Sequence, residues 1–386
     1  MKRAWVIFLT WLLAYLLSYF YRSTNAVIAG ELRRDVGLDN EQLGFMSSLF
    51  YLTFALVQLP LGSALDRFGP RLVTPTLMMV GAAGSLLFSL GESFLVLSVA
   101  RALLGVGFAG VLMGAMKVFS TALPSDRFAT MSSLLVGVGS TGGLLAATPM
   151  ALLVGNVGWR PVFAWGALVV VVAAAVVVVF TRGAPPTGAR AGAGFGPIAR
   201  DHRFWRISLL NFATVGVMLG LQGLWGGPYL ADIYGRSELQ IGNALVALGV
   251  GIVIGNLVCG PLADRFGRGL VALTGAGVFL ACQVLLALAL PGAPVAAIYL
   301  TIGVFGSYYV VLIAEARAIF PAELTGRAIT AVNFFGMVGA MVVQWLMGVI
   351  IESGGGVDGY RLAFGVTLAL GAVAVAAYVP VARQRA

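Results

Sequence analysis

The sequence predicts an all-α membrane protein of twelve transmembrane helices arranged as two pseudo-symmetric six-helix bundles. Three observations lead there. The 386 residues are 60% hydrophobic and only 10% charged, with a mean hydropathy of +0.97, whereas a soluble chain carries about a quarter charged residues. Long runs such as Trp5–Phe20, Leu72–Leu90, Val162–Phe180 and Leu270–Leu290 contain no charge at all, and a helix needs roughly 20 apolar residues to cross a bilayer. A segment in the first half also recurs 198 residues later, as expected of a chain built from two related halves.

Twelve apolar segments follow one another: 4–29, 41–64, 72–91, 94–121, 129–155, 161–181, 207–232, 240–262, 270–290, 295–319, 328–351 and 362–381. The start, Met1-Lys2-Arg3 before an apolar run, has the look of a leader. It reads as the first span because the run is long and eleven more follow. Between spans six and seven the stretch 182–206, rich in Gly, Ala, Pro and Arg in its first part, reads as a cytoplasmic linker between an N-terminal bundle (1–181) and a C-terminal one (207–386).

The net charge of +9 is topological. With both termini on one side, that side carries fifteen Lys and Arg, and the other five: Arg33, Arg34, Arg160, Arg236 and Arg361. Positive charge stays in the cytoplasm, so both termini are expected there, in a multi-pass protein of a bacterial inner membrane. No nucleic-acid partner is needed to explain the basic balance. Cys259 and Cys282 have no CxxC spacing, and His202 is the one histidine, so neither a disulfide framework, a metal site nor a cofactor is expected. Gly137-Val-Gly139-Ser-Thr-Gly142 and Gly105-Val-Gly107-Phe-Ala-Gly110 match GxGxxG, but both lie inside predicted spans, where close helix packing is the physical use of glycine. No phosphate-binding GxxxxGK[ST] and no catalytic triad is present, so nothing supports an enzyme.

The repeat carries the most specific signal. Gly62-Ser-Ala-Leu-Asp66-Arg67-Phe-Gly69-Pro-Arg71 follows span two, and Gly260-Pro-Leu-Ala-Asp264-Arg265-Phe-Gly267-Arg268 follows span eight. The first resembles the GxxxDRxGxR signature of the major facilitator superfamily; the second has its last arginine one place early. Arg101-Ala-Leu-Leu-Gly105-Val-Gly107 in span four is similar to that family's RxxxGxG helix, and Gly158-Trp159-Arg160 also fits. The resemblance covers the whole chain. It implies two six-helix bundles around a central cavity that opens alternately to either side, moving a small molecule. Asp66, Arg67, Arg71, Asp264, Arg265 and Arg268, with Arg127 on the same side, are then candidates for a two-state latch.

Charges inside spans mark sites, since each costs about 2.5–3.5 kcal/mol to insert. Arg22 lies well inside span one, and Ser18, Arg22 and Asn25 share a helix face. Tyr19-Phe20-Tyr21-Arg22-Ser23-Thr24-Asn25 resembles the tyrosine-and-arginine segment of the anion:cation symporter branch, in which that arginine binds the anionic group of an organic anion. Many members have an aspartate just before it; here Tyr21 stands there. Lys117 in span four maps by the 198-residue offset onto Glu315 in span ten. Lys117 is either a second anion contact, with Glu315 a proton site, or half of a gate bridge with an acid. Arg317 is expected to anchor a gate or interface, and Arg101 to be structural. Neutral polar residues extend the candidate path: Tyr19, Tyr51, Gln58, Asn211, Thr214, Met218, Gln222, Trp225, Tyr308, Asn333 and Gln344.

The expected activity is secondary transport of a small organic anion by a monomer, coupled to a proton or sodium ion. The alternative is proton-coupled export of a drug, metabolite or siderophore. Against it, the glycine-proline motif usual in span five of such exporters is missing: that span reads Gly137-Val-Gly139-Ser-Thr-Gly142-Gly143, and its proline, Pro149, comes late.

Overall fold

Twelve helices among the described residues are long and apolar enough to cross a membrane, and those residues include no strand. The computed structural model describes residues 2–122, 125–181 and 196–383, with side chains except at 2–4, 125–130, 133, 317–318, 322–323 and 325–326. Most of the linker predicted at 182–206, with Arg182 and Arg190, and the side chains of Arg127 and Arg317 therefore lie outside the description.

The chain forms two compact units, one of Met1–Leu38 and Leu49–Arg190, the other of Asp39–Ser48 and Ala191–Ala386. In the first, the span predicted at 4–29 is replaced by α1 (Lys2–Ser23), whose membrane-length stretch is Trp5–Ser23 with Arg22 near its end, and a separate α2 (Asn25–Val36); α3 (Asn40–Phe68) and α4 (Pro70–Leu90) follow. Span four is α5 (Phe94–Phe108) and α6 (Val111–Ala122); span five is α7 (Ser125–Gly139), α8 (Gly142–Leu145) and α9 (Thr148–Val157); α10 is Trp159–Phe180. In the second unit, α11 (Gly196–Ala199) precedes α12 (His202–Gly220), which runs through a π-helical turn, Leu221–Trp225, into α13 (Gly226–Tyr234). Then come α14 (Glu238–Phe266), α15 (Arg268–Leu288), α16 (Val295–Gly306), α17 (Tyr309–Ile319), α18 (Ala322–Gly354) and α19 (Gly356–Arg383). Span seven thus begins at His202, not at 207, because Asp201 caps it by accepting from the Arg203 N–H at 2.8 Å.

Glycine sets the helix contacts. A methyl on Gly107 would come within 2.3 Å of the Gly81 Cα, and one on Gly105 within 2.2 Å of the Phe50 carbonyl. Methyls on Gly139 and Gly142 would strike Tyr15 and the Leu16 carbonyl. Both GxGxxG segments are therefore membrane-helix packing faces with no strand before them. The first turns of α3 belong to the second unit: Asn40 donates from its main-chain and side-chain nitrogens to Glu352 at 3.0 and 2.8 Å, and Gly44 lies against Gly348.

The spans predicted as continuous helices are interrupted in four of the positions that matter most. Span one breaks at Thr24 and span four at Ala109–Gly110; span seven carries its π turn at 221–225 and span ten breaks at Ser307–Tyr308. Adding the repeat offset of 198 to Thr24 gives Gln222, and to Ala109 gives Ser307. The discontinuities are thus at equivalent places in the two halves. Irregular backbone at membrane depth leaves polar groups that only neighbouring side chains or a wet cavity can satisfy.

Candidate functional site

The break in span one is held by one local donor and one distant one. The Thr24 hydroxyl donates to the Tyr21 carbonyl at 3.3 Å, and Arg101 Nη1 donates to the same oxygen at 2.9 Å. A threonine bonding back onto its own helix competes with the helical ladder and bends it. In span four, Gln58 donates to the Ala109 carbonyl at 3.3 Å and Thr74 to the Gly110 carbonyl at 3.4 Å. The second half uses the same device: the Tyr299 hydroxyl donates to the Gly226 carbonyl at 2.9 Å, just after the π turn. Tyr299 is the repeat equivalent of Arg101.

Arg22 sits immediately before the first break and is 7% exposed. Its guanidinium lies 4.7 Å from the Tyr19 ring centre and 5.1 Å from that of Phe54. Phe54 stacks with Phe50 at 6.1 Å, and the fully buried Arg101 guanidinium lies 5.1 Å from the Phe50 ring. The Tyr51 phenol lies in the field of both cations, and its hydroxyl donates to the Arg22 carbonyl at 3.5 Å. A buried cation over an aromatic face gains up to about 2 kcal/mol. Two rings under Arg22 therefore offset part of the cost of burying its charge, so it can remain buried without a carboxylate. Among the described residues it has none, and Nε of Arg22 and Nε and Nη2 of Arg101 make no hydrogen bond. Guanidinium donors held in a fork on an apolar floor are suited to a carboxylate, sulfonate or similar anion.

The other predicted residues have the following places. Asn25 is fully buried at the start of α2. Lys117 forms an ion pair with Asp66 of the signature loop. Arg67 lies over Phe68 and Arg265 over Phe266, Asp264 is exposed, and Arg71 donates to the Val178 carbonyl at 2.9 Å. Arg268 is half-buried at the start of α15. In the second unit Gln222 is 7% exposed within the π turn, and Trp225 donates to the Gln344 carbonyl at 2.9 Å. Tyr308 hydrogen-bonds Thr214, Asn211 donates to the Val332 carbonyl at 2.8 Å, and Asn333 is half-buried on α18. Glu315 is fully buried and accepts from the Tyr378 hydroxyl of α19.

The repeat explains why the Lys117 and Glu315 positions diverge. In the first half, Asp66 meets a lysine; in the second, the equivalent residues are Asp264 and Glu315, two acids that cannot form an ion pair with each other. Glu315 turns instead to a phenol, and Asp264 remains in the open. Sequence reading missed Tyr378 as that partner, the place of Arg101 beside Arg22, and Asn256. The Asn256 amide is buried with neither atom hydrogen-bonded among the described residues. Asn256 is the repeat equivalent of Gln58, which is the signal that could have found it.

The Major Facilitator Superfamily profile matches residues 11–235 and 210–386. The chain is 25% identical over 370 residues to a gentisate transporter of Corynebacterium glutamicum, covering 90% of this chain and 81% of that one. It is 25% identical over 272 residues to a probable sulfoacetate transporter of Cupriavidus necator, covering 66% of this chain and 63% of that one. In fold it is similar to a bacterial homologue of the human lysosomal transporter Spinster, with TM-score 0.77, 17% identity and 99% and 97% of the two chains covered. It is equally similar to a D-xylose–proton symporter, with TM-score 0.77, 15% identity and 97% and 96% covered. With a family profile spanning both halves and twelve membrane-length helices, this chain belongs to the Major Facilitator Superfamily.

Proposed function

We propose that the protein is a secondary active transporter that carries a small organic anion across the bacterial inner membrane by alternating access, as a monomer with both termini in the cytoplasm. One observation supports this reading above the rest: Arg22 is buried on two aromatic rings with no acid beside it among the described residues. An anionic substrate completes the hydrogen bonds of that guanidinium, with Arg101 lending charge from behind the Phe50–Phe54 stack. The relatives named for gentisate and sulfoacetate support the same substrate class. A further match, 27% identical over 167 residues but covering only 41% of this chain and 36% of that one, is a probable galactarate/D-glucarate transporter of Bacillus subtilis.

Ion coupling is assigned to the second unit. The position before Arg22 holds Tyr21, whose hydroxyl is 2.7 Å from that of Ser85, so it offers no carboxylate. Glu315 is our candidate for the acid that binds and releases a proton, a reading supported by its burial against Tyr378. Asp66, Lys117 and the charges of the two signature loops serve the gate.

Thermal unfolding of the purified protein with gentisate, sulfoacetate, glucarate and neutral sugars tests the substrate class. A ligand at 100 times its Kd stabilises the folded state by about 2.7 kcal/mol, so at least one organic anion raises the melting temperature, and Arg22→Gln removes the rise. Stabilisation by neutral sugars alone, or by anions equally in Arg22→Gln, rules the proposal out.

A further inference from the structure

The exposed side of α4 and α10 carries a furrow whose apolar length the transport reading does not use, although its one charge, Arg71, belongs to the signature loop. A cavity of about 1000 Å³ lies between Arg71, Leu72, Thr76 and Met79 on α4 and Ala175 and Val178 on α10. A second, of about 400 Å³, continues it and shares Met79 and Val171 with it. Small side chains line its smaller part, Ala82 and Ala83 on α4 and Ala164 and Ala167 on α10. Its rims are large and exposed: Leu72 is 60% exposed, Met79 48% and Leu168 65%. One charge stands at one end. Arg71 donates its Nε–H across the furrow to the Val178 carbonyl at 2.9 Å. That bond fixes the guanidinium at the mouth, and the residue is exposed.

We propose that this furrow is a binding site for one anionic phospholipid, with an acyl chain along α4 and α10 and the phosphate on Arg71. The length of the larger cavity agrees. Along it, from Leu72 to Met79, the helix rises about 10 Å, within the roughly 15 Å depth of one leaflet's hydrocarbon, and the smaller cavity carries the furrow on past that depth toward Leu86. The charge agrees as well. A furrow that is apolar along its length and cationic only at its headgroup end complements a molecule with the reverse layout, and one arginine near the surface favours an anionic over a neutral headgroup about fivefold. Soluble anions lack the chain that fills about 1000 Å³, and a partner helix leaves Arg71 without a counter-ion at the bilayer surface.

The test is native mass spectrometry of the full chain released from nanodiscs of mixed phosphatidylglycerol and phosphatidylcholine. The wild-type protein retains one phosphatidylglycerol about fivefold over phosphatidylcholine. Arg71→Gln retains a lipid without headgroup preference, and Ala175→Trp, which fills the furrow from an exposed position, retains neither. Thr76→Trp fills it from the opposite wall, so a folding defect in one variant leaves the other to decide. Equal retention of the two lipids by the wild type, or unchanged phosphatidylglycerol preference in Arg71→Gln or in both tryptophan variants, overturns the proposal.

Discussion

Arg101 donates to the main-chain carbonyl of Tyr21 at 2.9 Å, the residue that directly precedes Arg22. The cation of span four thereby holds the backbone from which the cation of span one projects. The bond accounts for a fully buried arginine with no acid partner among the described residues: it satisfies a carbonyl at the helix break, and Phe50 faces the guanidinium.

Arg101→Met leaves the Tyr21 carbonyl without this donor and lowers stability by about 1–3 kcal/mol, with loss of uptake. Arg101→Lys keeps one donor and one charge but lacks the planar fork, so it retains measurable uptake with a raised KM. Melting temperatures and uptake kinetics of the two variants check this. Wild-type values in Arg101→Met would show that the contact is idle.

The Lys117–Asp66 ion pair is partly buried, with side-chain exposures of 14% and 37%. Asp66→Asn and Lys117→Met each lower stability. The reversed pair, Asp66→Lys with Lys117→Asp, recovers part of it, with a coupling of about 1 kcal/mol. Strictly additive effects in the double-mutant cycle refute the pairing.

Glycine positions separate close contact from open surface. Gly105→Ala puts a methyl 2.2 Å from both the Phe50 carbonyl and the Thr53 hydroxyl, and the forced shift costs about 1–3 kcal/mol. Gly137→Ala meets nothing within 4 Å and inside a helix gains up to about 1 kcal/mol. Thermal melts of the two variants should therefore move in opposite directions; a Gly105→Ala melt matching the wild type contradicts the α3–α5 packing.

Much of the fold is legible in the sequence, because each apolar run of membrane length demands one helix and the repeat at Asp66 and Asp264 shows the two halves. The breaks are not legible. Ser23-Thr24-Asn25 and Phe108-Ala109-Gly110 carry no proline, and their interruption depends on side chains brought from elsewhere, Arg101 and Gln58. Arg22 could be singled out because a charge in an apolar run is conspicuous by its cost. Its surroundings could not, since Phe54 and Phe50 are ordinary apolar residues until folding places them beneath it. Glu315 stood out for the same reason as Arg22, whereas Tyr378 is one tyrosine in an apolar span 63 residues away. The capture of Asp39–Ser48 by the second unit is likewise a long-range contact, made through Glu352 and Gly348.

The central claim is that Arg22 holds the anionic group of the substrate, and counterflow in proteoliposomes tests it most directly. Losing a charge-assisted hydrogen bond costs about 1.5–3 kcal/mol, or about 10- to 100-fold in affinity. The account predicts that the organic anion selected by thermal shift exchanges through the wild-type protein, that Arg22→Lys raises KM by about that factor, and that Arg22→Gln abolishes exchange. Exchange through Arg22→Gln with the wild-type KM would contradict it.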